Sequence, residues 1–341
     1  MCKSGLNSMQ IVIARLQSLA IVGGLILSLP QLCVGQQHAL RTTSTVVLVP
    51  TLVETKAGEI VYGLSAKDFR VQDNGVLQPV KVDSDFDMEP FSVVVAIQCG
   101  RDAPAQFARF RHLGLMLDSM MGEVPHEMAI VLFDSHPYLL ENFTSDSNSV
   151  SSALHRLGPG DGGAAIDDAV GYSLLLLARR PERNRRVLLI ISETRDHGSR
   201  MATVHDLLQR VAGTNITIYS LSFSPAASEL SRDLHGQYDG PEFTYMEPFQ
   251  FALNAMRRNT ANSLSKISGG ESLRFNSKLR FDHQLNRLAD DLHNRYLLTF
   301  QPHHPQAGYH SIRVRLTKKS NAVVVARPGY WASANSGRDD P

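Results

Sequence analysis

Four stretches of this chain are apolar almost throughout: Ser92–Ile97 (SVVVAI), Glu127–Phe133 (EMAIVLF), Arg186–Ser192 (RVLLIIS) and Ile216–Phe223 (ITIYSLSF). A strand with one wet face alternates apolar and polar residues; these do not, so each predicts a strand covered on both faces. Helical spacing separates them. Residues 104–121 place Phe107, Phe110, Leu113, Leu117 and Met120 on one side, and Ile166–Arg179 does the same with Ile166, Val170, Leu174 and Leu177. Helices are also expected at Ser147–Leu157, at 201–212, from about Phe249 to Ile267 and at Leu279–Leu292, with a shorter strand at Pro137–Phe143. Strands alternating with helices, with both strand faces buried, describe a mostly parallel sheet between two helical layers.

The chain ends read differently. Residues 43–53 (TSTVVLVPTLV) are β-branched and apolar, and Asn74-Gly75 between short extended runs marks a hairpin. Arg295–Phe300 (RYLLTF) is a strand, Ile312–Leu316 (IRVRL) alternates strictly, and Asn321–Ala326 follows. Alternation implies antiparallel sheet with one wet face, so the two ends are expected to form a flanking β module together. The expected organisation is a β segment at 43–90, an α/β domain at 91–294 with an insertion at about 224–248, and a second β segment at 295–332.

Residues 1–35 hold Lys3 and Arg15 with no Asp or Glu, then the apolar run Leu19–Leu29, Pro30, and small residues Cys33 and Gly35. This is the pattern of a secretory signal peptide cut after Gly35. The apolar run falls short of the roughly 20 residues of a membrane span; an uncleaved anchor is the alternative. Removal would take Cys2 and Cys33 and leave Cys99, so no intrachain disulfide is expected. A formal charge of +1 in 341 residues excludes a strongly basic nucleic-acid binder.

Ordered motifs at both ends resemble a known family. Gly63-Leu64, Asp68-Phe69, Val71, Asp73-Asn74-Gly75, Gln78 and Val80 precede the α/β region, and Tyr296-Leu297-Leu298, Pro302, His310, Ile312, Val314 and Ala326-Arg327-Pro328-Gly329-Tyr330 follow it. With the strand–helix alternation between them, they resemble exported bacterial proteins with a von Willebrand factor A-type domain, of the kind common in acidobacteria. The resemblance implies a three-layer α/β/α, Rossmann-like core with the flanking antiparallel module.

It also implies a divalent-cation site on the carboxyl edge of the sheet, built from an Asp-x-Ser-x-Ser loop, a Thr and an Asp. Carried over position by position, the loop's three ligand positions hold Gln98, Gly100 and Asp102, the Thr position holds Ala164, and the final Asp position holds Glu193. Mg²⁺ takes six oxygens at about 2.1 Å. Two of these five side chains carry no oxygen, one is a neutral amide, and Arg101 adds a neighbouring cation. The motif is degenerate, and the expectation is a core without Mg²⁺, Mn²⁺ or another cofactor.

Other candidate chemistry has plainer readings. Gly158–Gly163 lacks the Lys-Ser/Thr of a phosphate loop and reads as a loop-to-helix turn. His303, His304 and His310 read as a solvated loop, Asp290, Asp291 and His293 as a solvated helix face. Arg179, Arg180, Arg183, Arg185 and Arg186 read as cations at a helix end, and Cys99 as a partly buried free thiol.

The function expected is protein–protein interaction or adhesion in the cell envelope or outside the cell, with an unidentified protein partner, no nucleic acid and no catalysis. A hydrolase built around Glu193, Asp102 and Asp196 is the alternative from another class; a purely structural envelope module is the third.

Overall fold

The computed structural model describes residues 46–83, 88–223, 259–302, 306–318 and 321–333. The expected signal peptide at 1–35, the insertion at about 224–248 and His303-His304 lie outside the described residues, as does the start of the helix expected from Phe249.

The chain opens with strands β1 (Val47–Thr55), β2 (Phe69–Asp73), β3 (Val76–Gln78) and β4 (Lys81–Asp83). Asn74-Gly75 forms the expected hairpin, pairing Asp73 with Val76. Both turn residues have positive φ, 47° and 83°, as a two-residue turn matching the strand twist requires.

The core begins at β5 (Phe91–Gln98), buried along its whole length. A 3-10 turn (Ala103–Gln106), α1 (Phe107–Phe110) and α2 (Leu113–Met121) follow in place of the single helix expected over 104–121. The break falls at His112, whose backbone leaves helical geometry. The apolar face survives it: Phe110, Leu113, Leu117 and Met120 all stay buried. Next come β6 (His126–Phe133), β7 (Pro137–Thr144), α3 (Ser147–His155), α4 (Ile166–Ala178), β8 (Arg185–Ser192), α5 (Val204–Gly213) and β9 (Ile216–Phe223). Beyond residue 258 lie α6 (Thr260–Ser268), β10 (Ser272–Phe275) and α7 (Lys278–His293).

These strands form one six-stranded sheet in the order β10-β9-β8-β5-β6-β7, parallel except for the antiparallel edge strand β7. Successive residues of β5 face opposite layers. Phe91, Val93, Val95 and Ile97 pack with α1, α2, α3 and α7, and Val94 and Ala96 with α4, α5 and α6. That is the three-layer architecture, and it explains why the central strands show no polar alternation.

Strands β11 (Tyr296–Phe300), β12 (Gly308–Leu316), β13 (Ala322–Ala326) and β14 (Gly329–Ala332) complete the chain. They combine with the first four into two antiparallel sheets, ordered β13-β1-β11-β4 and β14-β12-β2-β3. Val49, Val53 and Leu298 of one sheet share a core with Phe69, Val71 and Ile312 of the other. Arg327, between β13 and β14, fastens this module to the α/β core. Its buried guanidinium donates to the carbonyls of Ala212 and Thr214 at the end of α5 and to Gly329 O. Burial among neutral acceptors pulls its pKa down to about 10.

Three sequence expectations need correction here. Asp291 is buried in an ion pair with Arg295 and is not on a solvated face, while His293 Nε2 lies 2.6 Å from Met120 O. His310 sits inside the β module, with Nδ1 3.0 Å from Asp73 Oδ1 and Nε2 2.7 Å from Gln306 O. Among the arginines, Arg180 forks onto Glu127 and lies over the Phe143 ring, and Arg185 is a buried strand residue over Phe91. In each case a partner distant in sequence, or beyond the element's end, decides the environment.

Candidate functional site

At the carboxyl edge of the sheet, β5 is the strand where the chain reverses its direction of winding: β6 lies on one side of it and β8 on the other. Loops diverge at such a point and leave a crevice outside the strand ends, the usual ligand position in open α/β sheets. Gln98 is the last residue of β5 and Glu193 follows β8. Both are buried, at 0% and 5% exposure.

The two residues exchange hydrogen bonds. Gln98 Nε2 donates to Glu193 Oε1 at 3.0 Å, and Glu193 N–H donates to Gln98 Oε1 at 2.8 Å. Gln98 Nε2 also donates to Gly100 O at 3.2 Å. Arg101 Nε donates to both carboxylate oxygens of Glu193, at 3.3 and 3.2 Å. A buried carboxylate needs a paired charge and hydrogen-bond donors, and Glu193 finds both within the chain.

Arg101 holds a backbone conformation rare for a side chain of its size, φ +53°. Its N–H donates to Asp161 O at 3.0 Å. Next to it, Gly100 has no room for a side chain: a Cβ there would lie 2.1 Å from Gly163 O and 2.7 Å from Asp161 O. The Gly158–Gly163 segment thus closes against the end of β5, and Gly160 N–H donates to Cys99 O. Asp161 Oδ1 accepts from Gly163 N, Ser135 N and Ser135 Oγ, which hold its carboxyl below the ordinary range. Asp134 Oδ2 accepts Asp161 N–H. The N–H groups of Gly160 and Gly163 are therefore committed to the protein itself, as the turn reading expects.

Ala164 is buried and pairs with His197 by two backbone hydrogen bonds of 2.8 Å each. This ties the loop after β8 to the segment entering α4. Asp168 strengthens the tie by accepting from the N–H groups of Arg200, Met201 and Ala202, and Asp196 accepts from Asp167 N–H and Ser199. Asp102 is exposed and starts the 3-10 turn without capping it through its side chain. Cys99 is fully buried, with Sγ directed at Phe133 O, and burial pushes its thiol pKa up.

Sequence reasoning thus named the residues of this rim but missed Asp134, Asp161 and Asp168, whose carboxylates hold its loops, and the buried Asp167 beside them. Two acids in the first turn of α4 were a readable signal, since carboxylates favour helix N-termini. Glu193, Asp102 and Asp196 are not joined by hydrogen bonds among the described residues. Asp196 is directed at α4 and Glu193 at Gln98 and Arg101.

Residues 101–195, from the loop after β5 to the loop after β8, match the von Willebrand factor type A domain family. The core has the type A fold. Similar solved structures include an aerotolerance-related membrane protein from Bacteroides fragilis NCTC 9343, at 17% identity, covering 59% of this chain and 98% of that one, TM-score 0.42. Others are a von Willebrand factor type A protein from Catenulispora acidiphila (7% identity, 86% and 76% covered, TM-score 0.44) and the mussel byssus proximal thread matrix protein 1 with a zinc-occupied MIDAS motif (10%, 64% and 49%, TM-score 0.41). No curated protein matches the chain.

The packing at Gly100 makes a prediction for the type A core. Gly100→Ser restores a hydroxyl at a ligand position, yet its Cβ would collide with the backbone of Gly163. Thermal denaturation should show a loss of about 1–3 kcal/mol, the usual range for overpacking, and calorimetry no gain of Mn²⁺ binding. A stable Gly100→Ser protein that binds Mn²⁺ would show that the loop yields.

Proposed function

We propose that this protein is an exported binding module whose type A core grips a protein partner in the envelope or outside the cell, without a divalent cation and without catalysis. The observation that carries this reading is the closed exchange among Gln98, Glu193 and Arg101. An ion such as Mg²⁺ needs several oxygens free to turn toward it. Here Gly100 and Ala164 supply no side-chain oxygen. The Gln98 oxygen receives a backbone N–H, and Glu193 is neutralised by Arg101. The residues present do not fit the ion, and no part of the proposed function runs through one.

Export rests on the charged start, apolar run and small-residue cut site of residues 1–35. No helix among the described residues is long and apolar enough to cross a membrane. The ordered end motifs support placement with the exported proteins of acidobacterial type. The carboxylates of Glu193 and Asp196 are already engaged, the first by Gln98 and Arg101 and the second by Asp167 N–H and Ser199, which weighs against the hydrolase alternative.

Cross-linking and pull-down from envelope extracts, performed in EDTA, tests the reading. A specific protein retained under chelation is the expected result. Capture only with added Mg²⁺, or hydrolase activity removed by Glu193→Gln, would overturn it; no capture at all would favour a structural role.

A further inference from the structure

The sheet β14-β12-β2-β3 gathers positive charge on its outer face. Phe69, Val71 and Ile312 point into the core of the module, so the residues alternating with them, Arg70, Gln72, Arg313 and Arg315, point outward. Strand pairing sets Arg315 directly opposite Arg70, and Arg313 opposite Gln72 two residues along. The three arginines are exposed, and none of them makes an ion pair or a side-chain hydrogen bond among the described residues. Like charges directly opposite on adjacent strands weaken a sheet, so the Arg70–Arg315 pair brings the fold a cost. Asp68, the residue before β2, does not relieve it. Its carboxylate is engaged by Ser65 N–H and Oγ, with Lys67 and Lys318 as further nearby cations.

Aliphatic surface adjoins this charge. Strand β3 is an edge strand, and its Val76 and Leu77 are 63% and 54% exposed. Leu77 pairs with Gln72, so it shares the outward face and stands in one row with Gln72 and Arg313.

We propose that this face docks on an anionic lipid surface, with Arg70, Arg313 and Arg315 on headgroup phosphates and the exposed aliphatic residues of β3 set among them. Guanidinium groups match phosphate oxygens two at a time, and each basic residue near such a surface strengthens binding about fivefold. An acidic protein segment would answer the arginines alone. A lipid interface takes both the cations and the neighbouring aliphatic side chains. The contact uses no residue of the rim around Glu193, so it stands or falls apart from the partner grip proposed above.

Flotation of the full chain with vesicles of phosphatidylcholine alone, or mixed equally with phosphatidylglycerol, tests this. Binding to the mixed vesicles should be about a hundredfold tighter, from roughly fivefold for each of the three arginines, and the gap should shrink in high salt. Arg315→Thr should lose about fivefold while its thermal midpoint stays level or rises, because it relieves the like-charge pair. Replacing all three arginines by Gln should remove the preference, and Leu77→Ser should weaken binding to the mixed vesicles. Arg280→Gln, which takes the same charge from α7, should change neither. The apolar run Leu19–Leu29 is the same in every variant, so differences among them report this face. Equal binding to both vesicles, or a preference that survives the triple replacement, would overturn the proposal. So would tighter binding to poly-glutamate than to the mixed vesicles at equal charge, which would assign the face to an acidic protein. A dimer of the free chain that is lost with Leu77→Ser would overturn it too, in favour of a second copy.

Discussion

Asp291→Ala is expected to lower the unfolding free energy by about 3–5 kcal/mol, the scale for removing one partner of a buried ion pair. Asp291 and Arg295 are each 3% exposed. Arg295 Nε and Nη2 donate to the two carboxylate oxygens at 2.8 Å each, and Nη1 donates to Gly269 O at 2.6 Å. Burial alone would depress the Arg295 pKa, but the adjacent Asp291 carboxylate outweighs it and holds the group above its ordinary range. A guanidinium keeps its proton in proteins even so, and without Asp291 the charge of Arg295 is stranded beside the Tyr219 ring at the junction of α7 and β11. Urea denaturation at neutral pH checks this. The paired replacement Asp291→Leu with Arg295→Met should recover most of the loss, because it removes both buried charges. A single-variant loss under about 1 kcal/mol would mean that water reaches the pair.

Asp167→Asn is expected to stabilise the protein, and to do so more as pH rises. Asp167 lies in the first turn of α4, 6% exposed, and its Oδ1 has no hydrogen-bond partner. Burial, then the charges of Asp196 and Asp168, push its pKa from 3.8 up to about 7, against a smaller opposing effect of Thr260 on α6. Between those two values the folded chain keeps the proton that the unfolded chain has released. Stability from this group is thus fully present below 3.8 and is lost as pH rises through about 7. The cost above neutrality is of order 4 kcal/mol at most. Denaturation curves of the two proteins should nearly coincide at acid pH and separate by a few kcal/mol on the alkaline side. A gap that stays constant with pH would show that Asp167 is ionised throughout.

Much of the architecture could be read before any coordinates because burial on both faces leaves a simple trace. The apolar runs at Ser92, Glu127, Arg186 and Ile216 became β5, β6, β8 and β9, and Asn74-Gly75 became its hairpin. Failures occurred where a distant residue changes the meaning of a local pattern. Asp291 looks solvated on an amphipathic helix because its neutraliser, Arg295, lies past the helix end. His310 looks like a loop residue until β12 pairs with β2 and brings Asp73 beside it. The rim shows the same division. Gln98, Gly100, Asp102, Ala164 and Glu193 were identifiable by their places after strands. Their interactions were not, since Gln98 and Glu193 meet only through the adjacency of β5 and β8, 95 residues apart in sequence. Arg101 could be read as opposing a cation; that it occupies the carboxylate itself required the fold.

On the proposed reading an internal guanidinium, and no metal, balances the charge at the sheet's carboxyl edge. Anomalous diffraction from crystals of the protein soaked in Mn²⁺ tests it most directly. No anomalous peak is expected near Glu193, with Arg101 Nε still within hydrogen-bond distance of its carboxylate. A peak ligated by Glu193 and Asp102, with Arg101 swung away, would contradict it.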